Sequence, residues 1–196
     1  MSAALDPRRA IFVISGTQGA GKTTVASMLA RRFDRGVHIS ADVLQKMIVS
    51  GGAWPASDGL DGERKVVGDA GDQLRLRLHN ACLLARSFYD AGFTAIIDDI
   101  IVGDRVPHLI EELGDLEFFF VLLAPSIEAV RDRERLRGTE LWREWEWLTE
   151  SIPNTTSPIG LWLDSSHQTS EETVDEIMRR AWQEAPVSAQ TVGTPI

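Results

Sequence analysis

Residues Gly16 to Thr23 read G-T-Q-G-A-G-K-T, which fits G-x-x-x-x-G-K-[ST], the loop that cradles nucleotide phosphates. Gly16, Gly19 and Gly21 let the backbone amides of Thr17, Gln18 and Ala20 turn toward an anion. The helix that follows adds its positive N-terminus. The motif sends Lys22 to the β- and γ-phosphates and gives the Thr23 hydroxyl to Mg²⁺, with Thr24 completing the nucleotide-contacting segment. ATP and Mg²⁺ are therefore the expected cofactors. Further acids lie near the same chemistry. The segment His38-Ile39-Ser40-Ala41-Asp42 closes an apolar run with a carboxylate. Asp42 there can accept the proton of an attacking hydroxyl or orient it for in-line attack; it can also cap a helix. Ile96-Ile97-Asp98-Asp99 ends another apolar run with two acids. One suits the Mg²⁺ side and the other the acceptor, and spacing does not say which.

Arg131, Arg133, Arg135 and Arg137 lie within seven residues. A guanidinium fits the spread charge of a transferring phosphoryl group, and Arg133 and Arg137 are the candidates singled out for it. Helix ion pairs with Asp132, Glu134 and Glu140 are the alternative. On the acceptor side the candidates are Asp42, Gln45, Trp54, Arg75, His79 and Asp99. Trp54 beside Pro55 offers apolar area to an acceptor or anchors its own loop. Arg75 and His79 lie off the apolar stripe of their helix, where a solvated face is the alternative.

These residues need elements to bring them together. Five apolar runs alternate with helical patterns: Ile11 to Ser15, Val37 to Ile39, Thr94 to Ile97, Glu117 to Leu123 and Gly160 to Leu163. Such alternation implies βαβ units, an α/β domain and a parallel sheet with helices on both faces. Ligands bind outside the carboxyl ends of such strands, so the phosphate loop, Asp42 and the paired acids share one rim. Leu74, Leu78, Ala81, Ala85 and Phe88 mark the face of one helix, ended at Asp90-Ala91-Gly92. Ser126 reads as an N-cap, and Thr169 with Glu172 as a capping box. Ser50 to Gly71, with Gly51, Gly52, Gly59, Gly62 and Gly68, is long for a connector. It opens an acceptor-side insertion over about 50–90. Residues 131–147 mix five arginines with Trp142, Trp145 and Trp147, which suits a helical lid or an amphipathic helix pair. The domain is expected over residues 1–185, and 186–196 as a frayed tail.

The chain has 196 residues, 43% hydrophobic and 25% charged, in the range of one soluble domain. Its net charge of −9 disfavours broad binding to nucleic acid. No stretch approaches a membrane span, and the N-terminus lacks a secretory pattern, so the cytoplasm is the expected compartment. Cys82 is the sole cysteine, which excludes an internal disulfide and fits a buried small hydrophobe.

The chain resembles the chloramphenicol phosphotransferase-like group of P-loop kinases over about residues 10 to 182. The resemblance rests on Gly16 to Thr23, on Ser40-Ala41-Asp42-Val43-Leu44, on Ala91 to Gly103 with its acidic pair, and on Leu163-Asp164-Ser165-Ser166-His167. It implies a P-loop NTPase fold, a single doubly wound five-stranded sheet of order 2-3-1-4-5, and Asp42 as the catalytic aspartate. It also implies ATP- and Mg²⁺-dependent phosphorylation of a small-molecule hydroxyl, with antibiotics among the acceptors. Nucleoside monophosphate kinases look similar after strand two, but carry arginine where this chain has Gln45. That favours an uncharged hydroxyl acceptor. Two other readings are a nucleotide-dependent ATPase or switch that binds a protein partner, and a polynucleotide 5′-hydroxyl kinase. No N-K-x-D segment points to guanine.

Overall fold

The strand β1 (Ile11–Gly16) is buried at every position, as a central parallel strand covered on both faces must be. It pairs in parallel with β3 (Thr94–Asp98) on one side and β4 (Phe118–Leu123) on the other. β2 (Gly36–Ser40) and β5 (Leu161–Leu163) extend the sheet in parallel, giving the order β2-β3-β1-β4-β5. This is the expected 2-3-1-4-5 order. The computed structural model describes residues 6–56, 60, 65–138 and 142–188, and the backbone alone of Arg137, Trp142 and Glu144. Gly59, Gly62, Glu140 and the segment 189–196 lie outside the described residues.

One edge departs from expectation. Pro186 and Val187, read as the start of the frayed tail, form β6 (Pro186–Val187), antiparallel to Phe118 and Phe119. The reason is geometric. β5 has three residues and pairs with Val121 to Leu123, so the first half of that edge of β4 is left for the returning chain. Val187 buries there, and Phe120 N–H donates to the Ala185 carbonyl at 2.9 Å.

The strands alternate side chains between two cores. Phe12, Ile14, Ile96, Phe119, Val121 and Leu123 face α1 (Lys22–Ala30) and α7 (Ser170–Glu184). Ile11, Val13, Ala95, Ile97, Phe120 and Leu122 face α3 (Gly68–Asp90) and α4 (Arg105–Leu113). On α3 the buried stripe is Leu74, Arg77, Leu78, Ala81, Cys82 and Ala85. It contains an arginine among apolar residues, and that arginine belongs to the site. Burial raises the Cys82 thiol to a pKa of about 12, so it stays protonated. The remaining helices are α2 (Ala41–Lys46), α5 (Ile127–Arg137) and α6 (Trp142–Thr155). The caps read in the sequence form: Ser126 accepts from Ala129 N–H, and Thr169 and Glu172 make a reciprocal capping box. No helix of the described residues is long and apolar enough to cross a membrane.

Candidate active site

The phosphate loop joins β1 to α1 at the carboxyl edge of the sheet. Its glycines have structural reasons. Gly16 has φ 142°, and a Cβ there would stand 2.5 Å from the Leu123 carbonyl oxygen of the adjacent strand. Gly19 has φ 76°, and its Cβ would stand 2.7 Å from Val130 Cγ1 on α5. A side chain at either position would push the loop away from the elements that shape it. Lys22 Nζ donates to the Thr17 carbonyl at 2.8 Å, folded back across the loop. Burial pulls the Lys22 pKa below its ordinary value, and the charges of Asp98, Asp99 and Asp42 oppose that shift.

The alternation of β3 separates the two adjacent acids. Asp98 follows Ile96 onto the α1 face, and Thr23 Oγ1 donates to Asp98 Oδ2 at 2.6 Å. Asp98 Oδ1 also meets His38 Nε2 of β2 at 2.6 Å. Asp99 follows Ile97 onto the α3 and α4 face. There its oxygens accept from Arg77 Nη2 at 2.5 Å, Arg105 Nη2 at 2.7 Å and Ile100 N–H at 2.7 Å. Burial alone would raise the Asp99 pKa; Arg105 and Arg77 outweigh it and hold the carboxyl below its ordinary value. The sequence left both acids open for Mg²⁺. The structure brings Asp98 to Thr23 and spends Asp99 on two arginines.

Asp42 is the second residue of α2, and Ser40 holds the cap position without a side-chain bond. The carboxylate is exposed, and its Oδ1 lies 3.6 Å from Arg77 Nη1. Arg77, 6% exposed at the side chain, thus links Asp42 to Asp99. A cleft of about 1220 Å³ opens over this group. Gln18 of the phosphate loop, Asp42, Trp54, Arg75, Arg77, Arg105 and His108 are among its lining residues, and Trp145 and Trp147 of α6 form part of the far wall. One continuous space therefore runs from the phosphate loop to the acceptor side.

Three acceptor-side candidates do not line that cleft: Asp99, taken up by Arg77 and Arg105, together with Gln45 and His79. Gln45 is buried, and its amide nitrogen donates to the Ala53 carbonyl at 3.0 Å and to Gln73 Oε1 at 2.9 Å. Its neutral amide ties the turn after α2 to α3. His79 faces α4 and pairs with Glu112 at 2.8 Å, because it sits on the solvated side of α3. Arg133 Nη1 donates to the Ala20 carbonyl at 3.3 Å, and its other amino group donates to the Ser165 carbonyl. It thereby lies against the phosphate loop. The Arg137 side chain is outside the described residues. Arg131 pairs with Glu146 of α6, and Arg135 with Asp132, the helix ion pair offered as the alternative.

The sequence offered Arg77, with Asn80, as a candidate lining residue of the acceptor pocket, and Arg77 lines the cleft; missed were its ion pairs, Arg105 and the contact of His38. The signal for Arg77 was a cation at a position of the apolar stripe. Arg105 and His38 carried no signal, because their partner acids come from β3, remote in sequence for His38 and across a turn for Arg105.

Comparison with known proteins agrees with this fold. The chain is similar to the solved structure of a sugar kinase from Janibacter sp. HTCC2649, with TM-score 0.60 and 20% identity over 88% of this chain and 94% of that one. It is similar to the tunicamycin resistance protein of Deinococcus radiodurans, with TM-score 0.59 and 19% identity over 96% of this chain and 98% of that one. It is also similar to the Mycobacterium tuberculosis APS kinase in complex with AMPPNP and APS, with TM-score 0.59 and 17% identity over 88% and 97%. No curated protein matches the chain. The family described as chloramphenicol phosphotransferase-like protein matches residues 9–183. The chain belongs to this family of P-loop phosphotransferases.

Proposed function

We propose that this protein transfers the γ-phosphoryl group of ATP to a hydroxyl of a small molecule, in the cytoplasm and with Mg²⁺. The observation that carries the reading is the shared cleft, lined both by Gln18 of the phosphate loop and by an exposed Asp42. The residues present fit the cofactors. The Thr23 hydroxyl and the Asp98 carboxylate are hard oxygen donors held 2.6 Å apart, and Mg²⁺ takes few protein ligands and keeps water and phosphate for the rest. Lys22 and the amides of Gly16 to Thr23 would hold the phosphates. When bound, ATP supplies the phosphoryl group and Mg²⁺ neutralises its charge.

The remaining chemistry belongs to the chain. Asp42 orients the acceptor hydroxyl and takes its proton as the oxygen attacks phosphorus. Arg77, fixed by Asp99, keeps the Asp42 carboxylate turned toward the cleft. Arg133 brings a guanidinium to the loop, where it supports the transferring charge. Residues 131–147 run from α5 into α6 and wall the site, which suits a cover that limits water.

A polynucleotide acceptor is disfavoured by the net charge of −9. A nucleotide-dependent switch has no observation of its own in its favour. The test is ATP turnover against a panel of hydroxylated metabolites and antibiotics, with the product identified by mass. The expected result is one or more phosphorylated acceptors with the wild type and none with Lys22→Ala.

A further inference from the structure

The charge of the acceptor site does not reside where the sequence suggests. Gln45, whose neutrality pointed to an uncharged acceptor, is buried, does not line the cleft and is held by Ala53 and Gln73. Its lack of charge therefore carries no information about the acceptor. Two guanidiniums of α3 line the cleft, Arg77 and the more exposed Arg75. Arg75 meets His108 of α4, with Arg75 Nη2 and His108 Nε2 3.4 Å apart.

Every other arginine lining the cleft is committed. Arg77 and Arg105 share Asp99, and Arg77 also reaches Asp42. Arg75 has no carboxylate partner among the described residues. Asp72 and Asp104 line the same cleft, yet neither pairs with it. An exposed guanidinium with no acid partner, beside an imidazole in a concave site, suits an anion bound in a planar, two-pronged fashion. A histidine that accepts from the guanidinium leaves that positive charge unneutralised. Arg75 lines the same cleft as Arg77, the partner of Asp42, so a bound anion shares that space with the transfer site. Opposite these polar groups the cleft carries apolar area. Trp54 is 48% exposed, and Trp145 and Trp147 stand with ring centres 6.1 Å apart.

We infer that the acceptor is a hydroxylated organic acid: a carboxylate or similar anion on Arg75 and His108, an apolar body against Trp54, and a hydroxyl toward Asp42. The inference rests on the phosphotransfer reading for the role of that hydroxyl, but the anion site itself does not. It covers hydroxy acids as a class and excludes acceptors that are neutral throughout.

The test uses matched pairs that differ in charge alone: mandelate with mandelamide, tropate with tropamide, and salicylate with salicylamide. Binding is read by quenching of tryptophan fluorescence in the presence of a non-hydrolysable ATP analogue, and phosphorylated product by mass. In the wild type the acid of at least one pair binds about tenfold or more tightly than its amide, the scale of a charge-assisted hydrogen bond. Arg75→Gln brings the two affinities together, Arg75→Lys retains part of the difference, and affinity for the ATP analogue stays unchanged in both. Equal binding of acid and amide in all three pairs, or a preference that survives Arg75→Gln, overturns the anion site. The two readings fail separately. Phosphorylation of the amides without charge preference removes the anion site and leaves phosphotransfer standing. Tight, Arg75-dependent binding of an acid that is never phosphorylated, across a panel of further hydroxy acids, keeps the site and removes the transfer.

Discussion

Exchanging each of the two adjacent acids, Asp98 and Asp99, for asparagine separates chemistry from architecture. Asp99 is 4% exposed and accepts from Arg77, Arg105 and the Ile100 amide. In Asp99→Asn one oxygen becomes an NH₂ group that faces a guanidinium. Arg77, 6% exposed at the side chain, then has a single acid left, at 3.6 Å. Breaking a buried ion pair from one side costs about 3–5 kcal/mol. At about 2–4 °C per kcal/mol for a domain of this size, Tm falls by about 6–20 °C. Asp98 is as buried, but its partners are a threonine hydroxyl and an imidazole. An asparagine still accepts from the hydroxyl, so Asp98→Asn costs about 1 kcal/mol while phosphoryl transfer is lost. The assay is thermal denaturation of both variants beside ATP-dependent turnover.

The pH dependence has a definite sign. The Asp99 carboxyl is held below its ordinary pKa of 3.8, so its contribution is full above that value and is lost as pH falls through the folded pKa. The gap between wild type and Asp99→Asn is therefore constant at neutral pH and narrows below about pH 4. A Tm for Asp99→Asn within 2 °C of wild type, or Asp98→Asn that unfolds readily yet transfers phosphate when folded, refutes the division of labour.

Further outcomes follow from single contacts. Gly19→Ala places a Cβ 2.7 Å from Val130 Cγ1 at φ 76°, so both Tm and the thermal shift on adding ATP should fall, with strain of about 1–3 kcal/mol. Gln45→Ala should lower Tm through about 1–3 kcal/mol of lost bonding while the KM for ATP stays unchanged, because its amide holds Ala53 and Gln73 rather than ligand. Trp54→Ala should raise the KM for acceptor more than that for ATP, since the exposed indole lines the acceptor cleft; a silent change would return Trp54 to its own loop.

Much of this architecture was legible in the residues. Continuous apolar runs marked β1, β3 and β4 because central parallel strands bury both faces. The loop motif between β1 and α1 fixed the carboxyl edge as the functional rim. The capping residues Ser126 and Thr169 marked the starts of two helices. What escaped was decided by contacts between elements. Asp98 and Asp99 are chemically identical in sequence, and they part because α1 covers one face of β3 and α3 the other. Gln45 was placed at the acceptor by its match to an arginine of nucleoside monophosphate kinases, and His79 by its position off an apolar stripe. Their partners, Gln73 and Glu112, lie across helix pairs whose packing no local pattern encodes. Arg77 was visible as an arginine in a buried stripe, yet its meaning required Asp42 and Asp99 to arrive from two other elements. The short strand β6 depended on how little of the β4 edge β5 covers.

Product formation by wild type, Asp42→Asn and Lys22→Ala, each at saturating ATP and Mg²⁺ with one hydroxylated acceptor, tests the central claim. The wild type should yield acceptor that has gained a phosphoryl group. Asp42→Asn should bind ATP as the wild type does and form product about 10²-fold more slowly, the scale of lost general-base action. Lys22→Ala should form none. ATP hydrolysed at one rate by wild type and Asp42→Asn, with no acceptor ever phosphorylated, would contradict the account and return the protein to the class of nucleotide-driven switches.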